Sequence, residues 1–362
     1  MRFFSWSNRF LLGLLLLAIS ACQNTRSRNQ EENNQTLDDP SIQFTEELTF
    51  LEPPSQRSLT NQRFRNSQQI SATNAIALPT IQPLAITGDI ELSGSLAIAP
   101  LNDLIYKRFI REGYSGIINS SGIYSDTAIQ LFCESGKFDV ITVTRPMSDQ
   151  ELATCQANNR QPLDFAIAKD ALVVVVHRQD NFIKNLTLPR LTQLFQAEKW
   201  SDVNSTWPDE SIERFLITPE TLLFDLFPEK FSREEPIINP LNSNFYKFYQ
   251  PLTQELSATR YGFGYINYPS YQFNAKSFRA VPVEGQIASA ETVQTGVYPF
   301  SRSLFLYTDL NQLQQKPQVS AFINFYLTNV DQEIEKAGYL PLGEQELNQS
   351  KNNWLKAMDV DK

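Results

Sequence analysis

The chain has 362 residues, 41% of them hydrophobic, with 25 Phe and 13 Tyr, enough for one large or two medium-sized cores. A net charge of −9 is the wrong sign for gripping a phosphate backbone, so nucleic acid is excluded as a partner. One histidine, His177, and three cysteines offer no metal cluster or nucleophile–base pair, so neither catalysis nor a metal or cofactor is expected.

Residues Met1 to Arg9 carry Arg2 and Arg9 and no acid. The apolar run Phe10 to Ile19 is about ten residues long, too short to span a bilayer but right for the core of a signal peptide. Ser20 and Ala21 then lead into Cys22, and Ile19-Ser20-Ala21-Cys22 resembles a bacterial lipobox. Residues 1–21 are therefore expected to be removed. Cys22 is expected to carry lipid, so that the exported chain is anchored to a membrane rather than spanning it. From Gln23 to about Pro83 the composition is polar, which predicts a flexible tether over 22–83. With Cys22 assigned to lipid, Cys133 and Cys155 remain as an even pair in an exported chain, and a disulfide between them is expected.

Beyond the tether, strands and helices alternate. "DIELSGS" reads as a strand and turn, and the stretch with Leu101, Leu104, Ile105 and Phe109 as a helix. "YSGIINSSG" reads as a strand, and "SDTAIQLFCESG" as a helix that Ser125 or Asp126 caps and Gly136 stops. "FDVITVT" is a buried strand, "MSDQELATCQAN" a capped helix, and "FAIAKDALVVVVH" a strand covered on both faces. "TLPRLTQLFQ" and "NSNFYKFYQPLTQEL" read as helices. "YGFGYINYP", "FRAVPV" and "YPFSRSLFLYTD" read as strands, and "QVSAFINFYLTNVDQEIEKAGYLPL" as a long helix broken at Gly338. Such alternation predicts α/β architecture with mostly parallel sheets.

Seven stretches taken together, in order, resemble the phosphate-binding proteins of bacterial ABC transporters. They are "SGSLAIAPL", "FCESGKFDVITVTRPMSDQELATC", "PLDFAIAKDALVVVVH", "LTLPRLTQLFQAEKWSDVNSTWP", "YGFGYINYP", "VYPFSRSLFLY" and "FINFYLTNVDQEIEKAGYLPL". The resemblance implies a type II periplasmic-binding-protein fold, two α/β lobes joined by two crossover strands with ligand in the cleft between. It places lobe one at 84–171 and 301–345, lobe two at 172–300, and a C-terminal tail at 346–362. It also implies a lipoprotein facing the periplasm or cell exterior, which captures phosphate or a related oxyanion and passes it to an ABC transporter permease.

The family holds phosphate with backbone N–H groups at helix N-termini, hydroxyls and an arginine. Carried over by position, the first donor loop is Gly94, Ser95, Leu96, Ala97, where one hydroxyl remains and the amides of Leu96 and Ala97 are expected to donate. The second is Ser125, Asp126, Thr127, Ala128, with Asp126 read as a helix cap. The third is Glu220, Thr221, Leu222, Leu223, where leucines replace donors. Arg145 is expected to fork onto the oxyanion, whereas Arg302 reads as a structural ion pair at the hinge. The expected ligand set is thus Ser95, Leu96, Ala97, Ser125, Arg145 and Thr221. Two alternatives stand beside phosphate: a diverged cleft holding a larger or less charged ligand on an apolar floor, and a tethered interaction or sensing module with a vestigial cleft.

Overall fold

The computed structural model describes residues 75–217 and 242–359. The expected signal peptide, Cys22, the expected tether up to 74, and Glu220, Thr221, Leu222 and Leu223 lie outside the described residues.

Lobe one begins with β1 (Ile90–Ser95), α1 (Ala99–Arg111), β2 (Ile118–Ile123), α2 (Ser125–Ser135), β3 (Val140–Val143) and α3 (Asp149–Ala157). The long β4 (Pro162–His177) leads into lobe two, with α4 (Leu188–Gln196), β5 (Glu213–Ile217), β6 (Ser243–Tyr246), α5 (Tyr249–Ala258), β7 (Gly262–Asn267) and β8 (Phe278–Ala280). β9 (Ser301–Asp309) returns to lobe one, which closes with α6 (Pro317–Glu333) and α7 (Glu344–Ala357).

Each lobe holds a parallel triplet, β2-β1-β3 in one and β6-β5-β7 in the other. Among the named strands, every antiparallel pair involves one of the crossover strands β4 and β9. β4 pairs with β9 through Ala171 and with β7 from Leu172 onward, so the chain changes lobe between those two residues. Val173 to Val176 are fully buried, as a strand apolar on both faces requires. In the same register Asp170 lies directly opposite Arg302.

Lobe two packs one core around Val174, Trp200, Phe263 and Phe300. Lobe one packs two. The larger, around Phe109, Phe165, Phe322 and Tyr326, lies under α1, α6 and α7. The smaller joins α2 and α3 over β3 and contains the Cys133–Cys155 disulfide.

Four local expectations are corrected. Within "NSNFYKFYQPLTQEL", residues 243–246 are the strand β6 and the helix starts only at Tyr249. Pro251 fits a first turn, where its missing N–H and its ring do no harm, but not a helix interior. The stretch read as a tail from 346 is most of α7, and its helically spaced Leu347, Ser350, Trp354 and Leu355 are buried on lobe one. The last part of the expected tether is docked as well: Ile76, Leu78 and Ile81 pack on the larger core, and Ile76 N–H donates to Asn348 Oδ1. Finally, α2 starts after Tyr124, and neither Ser125 nor Asp126 caps it. Gly136, at φ 63°, ends it as expected.

Candidate ligand-binding cleft

The parallel strands of both lobes end toward the crossover, and ligands of open α/β sheets sit at such carboxyl ends. In lobe one, β1 runs into the turn Ser95–Ala97, β2 into Tyr124, and β3 into Thr144. In lobe two, β5 ends at Ile217 and β6 leads to Lys247, Phe248 and Tyr249. Together with Leu172 and Arg302 on the crossover, these eleven residues line a cleft.

Gly94 lets β1 reach this position. Its φ is 146°, and a Cβ there would collide with the Thr142 carbonyl, hydroxyl and amide on β3. Below the turn, Asn102 donates to Thr142 Oγ1 at 2.8 Å and accepts from the Tyr326 hydroxyl at 3.1 Å, fixing the first turn of α1 to the sheet.

The amides expected to bind an anion here are engaged within the chain. Leu96 N–H donates to Ile123 O at 3.1 Å, Ala97 N–H to Ser95 Oγ at 3.2 Å, and Ile98 N–H to Ser95 O at 2.8 Å. Pro100 has no N–H to offer. Ser95, Leu96 and Ala97 therefore line the cleft as expected in place but not as a ring of amide donors. Ser125 does not line it: its Oγ accepts from Thr144 N–H at 3.1 Å and lies 3.2 Å from Thr144 Oγ1. Ser125 thereby orients Thr144, which does face the cleft.

Arg145 is placed elsewhere. Its two terminal nitrogens fork onto Glu151 at 2.7 and 2.8 Å, and Nη2 also bonds Asp126. The hydrogen bonds it donates to Glu151 hold this guanidinium's pKa above the usual arginine value, against the pull of burial. Glu151 in turn closes a capping box with Ser148 at the start of α3. Arg145 and Asp126 thus tie α2 to α3 beside the disulfide, and neither lines the cleft.

The arginine in the cleft is Arg302. Its Nε and Nη2 both donate to Asp170 Oδ2, at 3.0 and 2.7 Å, and Asp170 Oδ1 accepts from Tyr268 N–H at 3.1 Å. The Asp170 side chain is 0% exposed and that of Arg302 9%, so the ion pair expected at the hinge exists and also forms the cleft floor. Tyr249 lines the cleft beside Arg302, and the Tyr339 hydroxyl donates to the Ala97 carbonyl. Burial pushes both phenols well up, so both keep their protons as donors. Burial alone would lower the pKa of Arg302; Asp170, with Tyr249 next, holds it above the usual value.

Tyr124, Thr144, Leu172, Ile217, Lys247, Phe248 and Tyr249 were not singled out from the sequence. The signal for most of them was position, since each follows the last residue of a parallel strand or sits close to it. Lys247 was hidden because the strand before it was read as helix.

Two parallel-sheet lobes, two crossover strands and a cleft at the strand ends define a two-lobed solute-binding protein. A model of the PBP superfamily domain matches residues 84–330, and the chain belongs to that superfamily. Protein SphX from Synechocystis sp. is 28% identical over 296 residues, 78% of this chain and 86% of that one. The phosphate-binding protein PstS of Staphylococcus haemolyticus is 26% identical, covering 70% of this chain and 81% of its own. Among solved structures, a possible phosphate binding protein from Planctomyces limnophilus superposes with a TM-score of 0.60 at 25% identity, over 75% of this chain and 99% of that one.

Proposed function

We propose that this protein captures phosphate or a related small oxyanion in the interlobe cleft and delivers it to the permease of an ABC importer. Lipid on Cys22 would hold it at the outer face of a bacterial membrane, in the periplasm or at the cell exterior. Among the described residues no helix is long and apolar enough to cross a membrane. It acts as a carrier and not a catalyst, in keeping with its relatives' names.

The observation that carries the reading is Arg302, held on a crossover strand at the floor of a cleft lined by the strand ends of both lobes. Lys247 adds a second cation at the rim, and Ser95, Thr144, Tyr124 and Tyr249 add hydroxyls. A ligand bridging these groups favours the closed arrangement, because it contacts both lobes at once.

The test is calorimetric titration of phosphate into protein stripped of ligand by partial unfolding and refolding. Saturable binding at micromolar or tighter dissociation constants, weakened at least about tenfold by Arg302→Lys, supports the reading, since lysine keeps the charge but loses the planar fork. No heat up to millimolar phosphate rejects it. Exchange of Cys22 for alanine should release the protein from the membrane fraction; retention would remove the anchor from the proposal.

A further inference from the structure

We infer that the preferred ligand is a phosphate ester: its phosphoryl group meets Arg302, and its organic substituent lies against Leu96, Leu172, Ile217 and Phe248. This rests on the oxyanion reading above and narrows it.

The first argument is the supply of donors. A free phosphate presents four oxygens, each of which loses its water in a cleft and needs a replacement partner. Esterification turns one of them into a bridging oxygen, a far weaker acceptor attached to carbon. The turn after β1 directs its amides inward, to Ile123 and Ser95, and α1 carries Pro100 in its first turn. Side chains are what this part of the cleft offers, and they suit a group with fewer oxygens to satisfy.

The second argument is charge. Asp170 stands opposite Arg302 in the β4–β9 register, fully buried and hydrogen-bonded to it, so the cleft floor is a neutral pair. Among the described residues Lys247 is the other cation in the lining, and it is exposed, where water weakens its attraction. Such a floor orients a phosphoryl group through the remaining donors of Arg302 and does not by its charge favour inorganic phosphate over a monoester, which is a dianion near neutral pH, so the choice falls to the substituent.

The third argument is the wall. Leu96 comes from lobe one, Leu172 from the crossover, and Ile217 and Phe248 from lobe two, so apolar surface is contributed from every side of the cleft. Phe248 is 42% exposed at the N-cap of α5, a position where Ser, Thr, Asp and Asn are preferred, and it makes no side-chain cap. The Lys247 ammonium lies 5.5 Å from the centre of the Phe248 ring, and the rest of this exposed aromatic surface does little for the helix or the core and is open to an apolar substituent.

The experiment compares inorganic phosphate with phenyl phosphate by calorimetry on the ligand-stripped protein at one pH. Covering about 60 Å² of the phenyl group is worth roughly tenfold in affinity at the usual value of apolar area. Phenyl phosphate should therefore bind at least about tenfold more tightly, and Phe248→Ala should bring the ratio of the two affinities toward one. Inorganic phosphate binding as tightly as phenyl phosphate, or more tightly, overturns the ester inference and leaves the oxyanion reading standing. Failure of both ligands to bind overturns the two together, and a phenyl preference that Phe248→Ala does not change overturns the assigned wall.

Discussion

Replacing Asp170 with leucine tests the central pair of the cleft. The substitution removes a carboxylate of zero exposure that accepts two bonds from Arg302 and one from Tyr268 N–H. Arg302, only 9% exposed, then keeps its charge without its acid, and breaking a buried pair from one side costs about 3–5 kcal/mol. In a folded unit of this size each kcal/mol lowers the thermal midpoint by about 2–4 °C, so a drop of roughly 10 °C is expected. Arg302→Met should cost a similar amount, because it strands Asp170. The double variant Asp170→Leu with Arg302→Met should recover much of the loss, since no charge is left buried and the volume is kept. The assay is thermal unfolding of all four proteins as a double-mutant cycle. A single variant within about 1 kcal/mol of wild type, or a double variant as unstable as the sum of the singles, would show that the pair is not coupled and would refute this account of the floor.

Other outcomes follow from the same geometry. Exchange of Cys133 and Cys155 for serine opens a link spanning 22 residues and should cost roughly 3 kcal/mol, read as a lower denaturation midpoint that reductant no longer shifts. Gly94→Ala forces a side chain into the Thr142 backbone at a φ that L-residues avoid; at least about 3 kcal/mol should be lost, and a near-neutral thermal scan would contradict the β1–β3 approach. Burial would raise the pKa of Glu151, but bonds from Arg145 and Ser148 bring it below the usual glutamate value. Its contribution to stability is therefore present above the unfolded value of about 4.3 and fades as pH falls below it. Glu151→Gln should flatten that acid limb, as seen in midpoints measured between neutral and acid pH. Arg145→Ala should destabilise the α2–α3 unit while leaving ligand affinity within about twofold, and a loss of binding at unchanged stability would return Arg145 to the cleft.

The fold was legible wherever a segment could have only one destination. Four valines in a row before His177 suit a strand covered on both faces, and "SRSLFLYTD" suits its antiparallel partner, so both crossover strands stood out. The capped start of "MSDQELATCQAN", where the structure shows a box of Ser148 and Glu151, and the stop at Gly136 were legible as local signals because their partners lie within a few residues. β6 and α7 were missed for the opposite reason. Four residues beginning Ser-Asn carry no alternation strong enough to mark a strand, and α7 has a long polar face whose few apolar positions gain meaning only against lobe one.

The cleft was harder to read because its character depends on which polar groups are already engaged. Nothing near Leu96 announces that its amide will be taken by Ile123, on a neighbouring strand. Arg145 follows a strand end, where a ligand residue belongs, yet it lies within reach of a carboxylate six positions on, which claims its fork. Arg302 finds its partner 132 residues away, through the register of two strands that leave one lobe and return to it. Motif position located the loops correctly; hydrogen-bond competition decided what they present. With Arg302 bound by a buried acid and the amides of Leu96 and Ala97 turned inward, the cleft presents fewer free donors than the positions of its loops alone suggest, and its apolar lining gains weight accordingly.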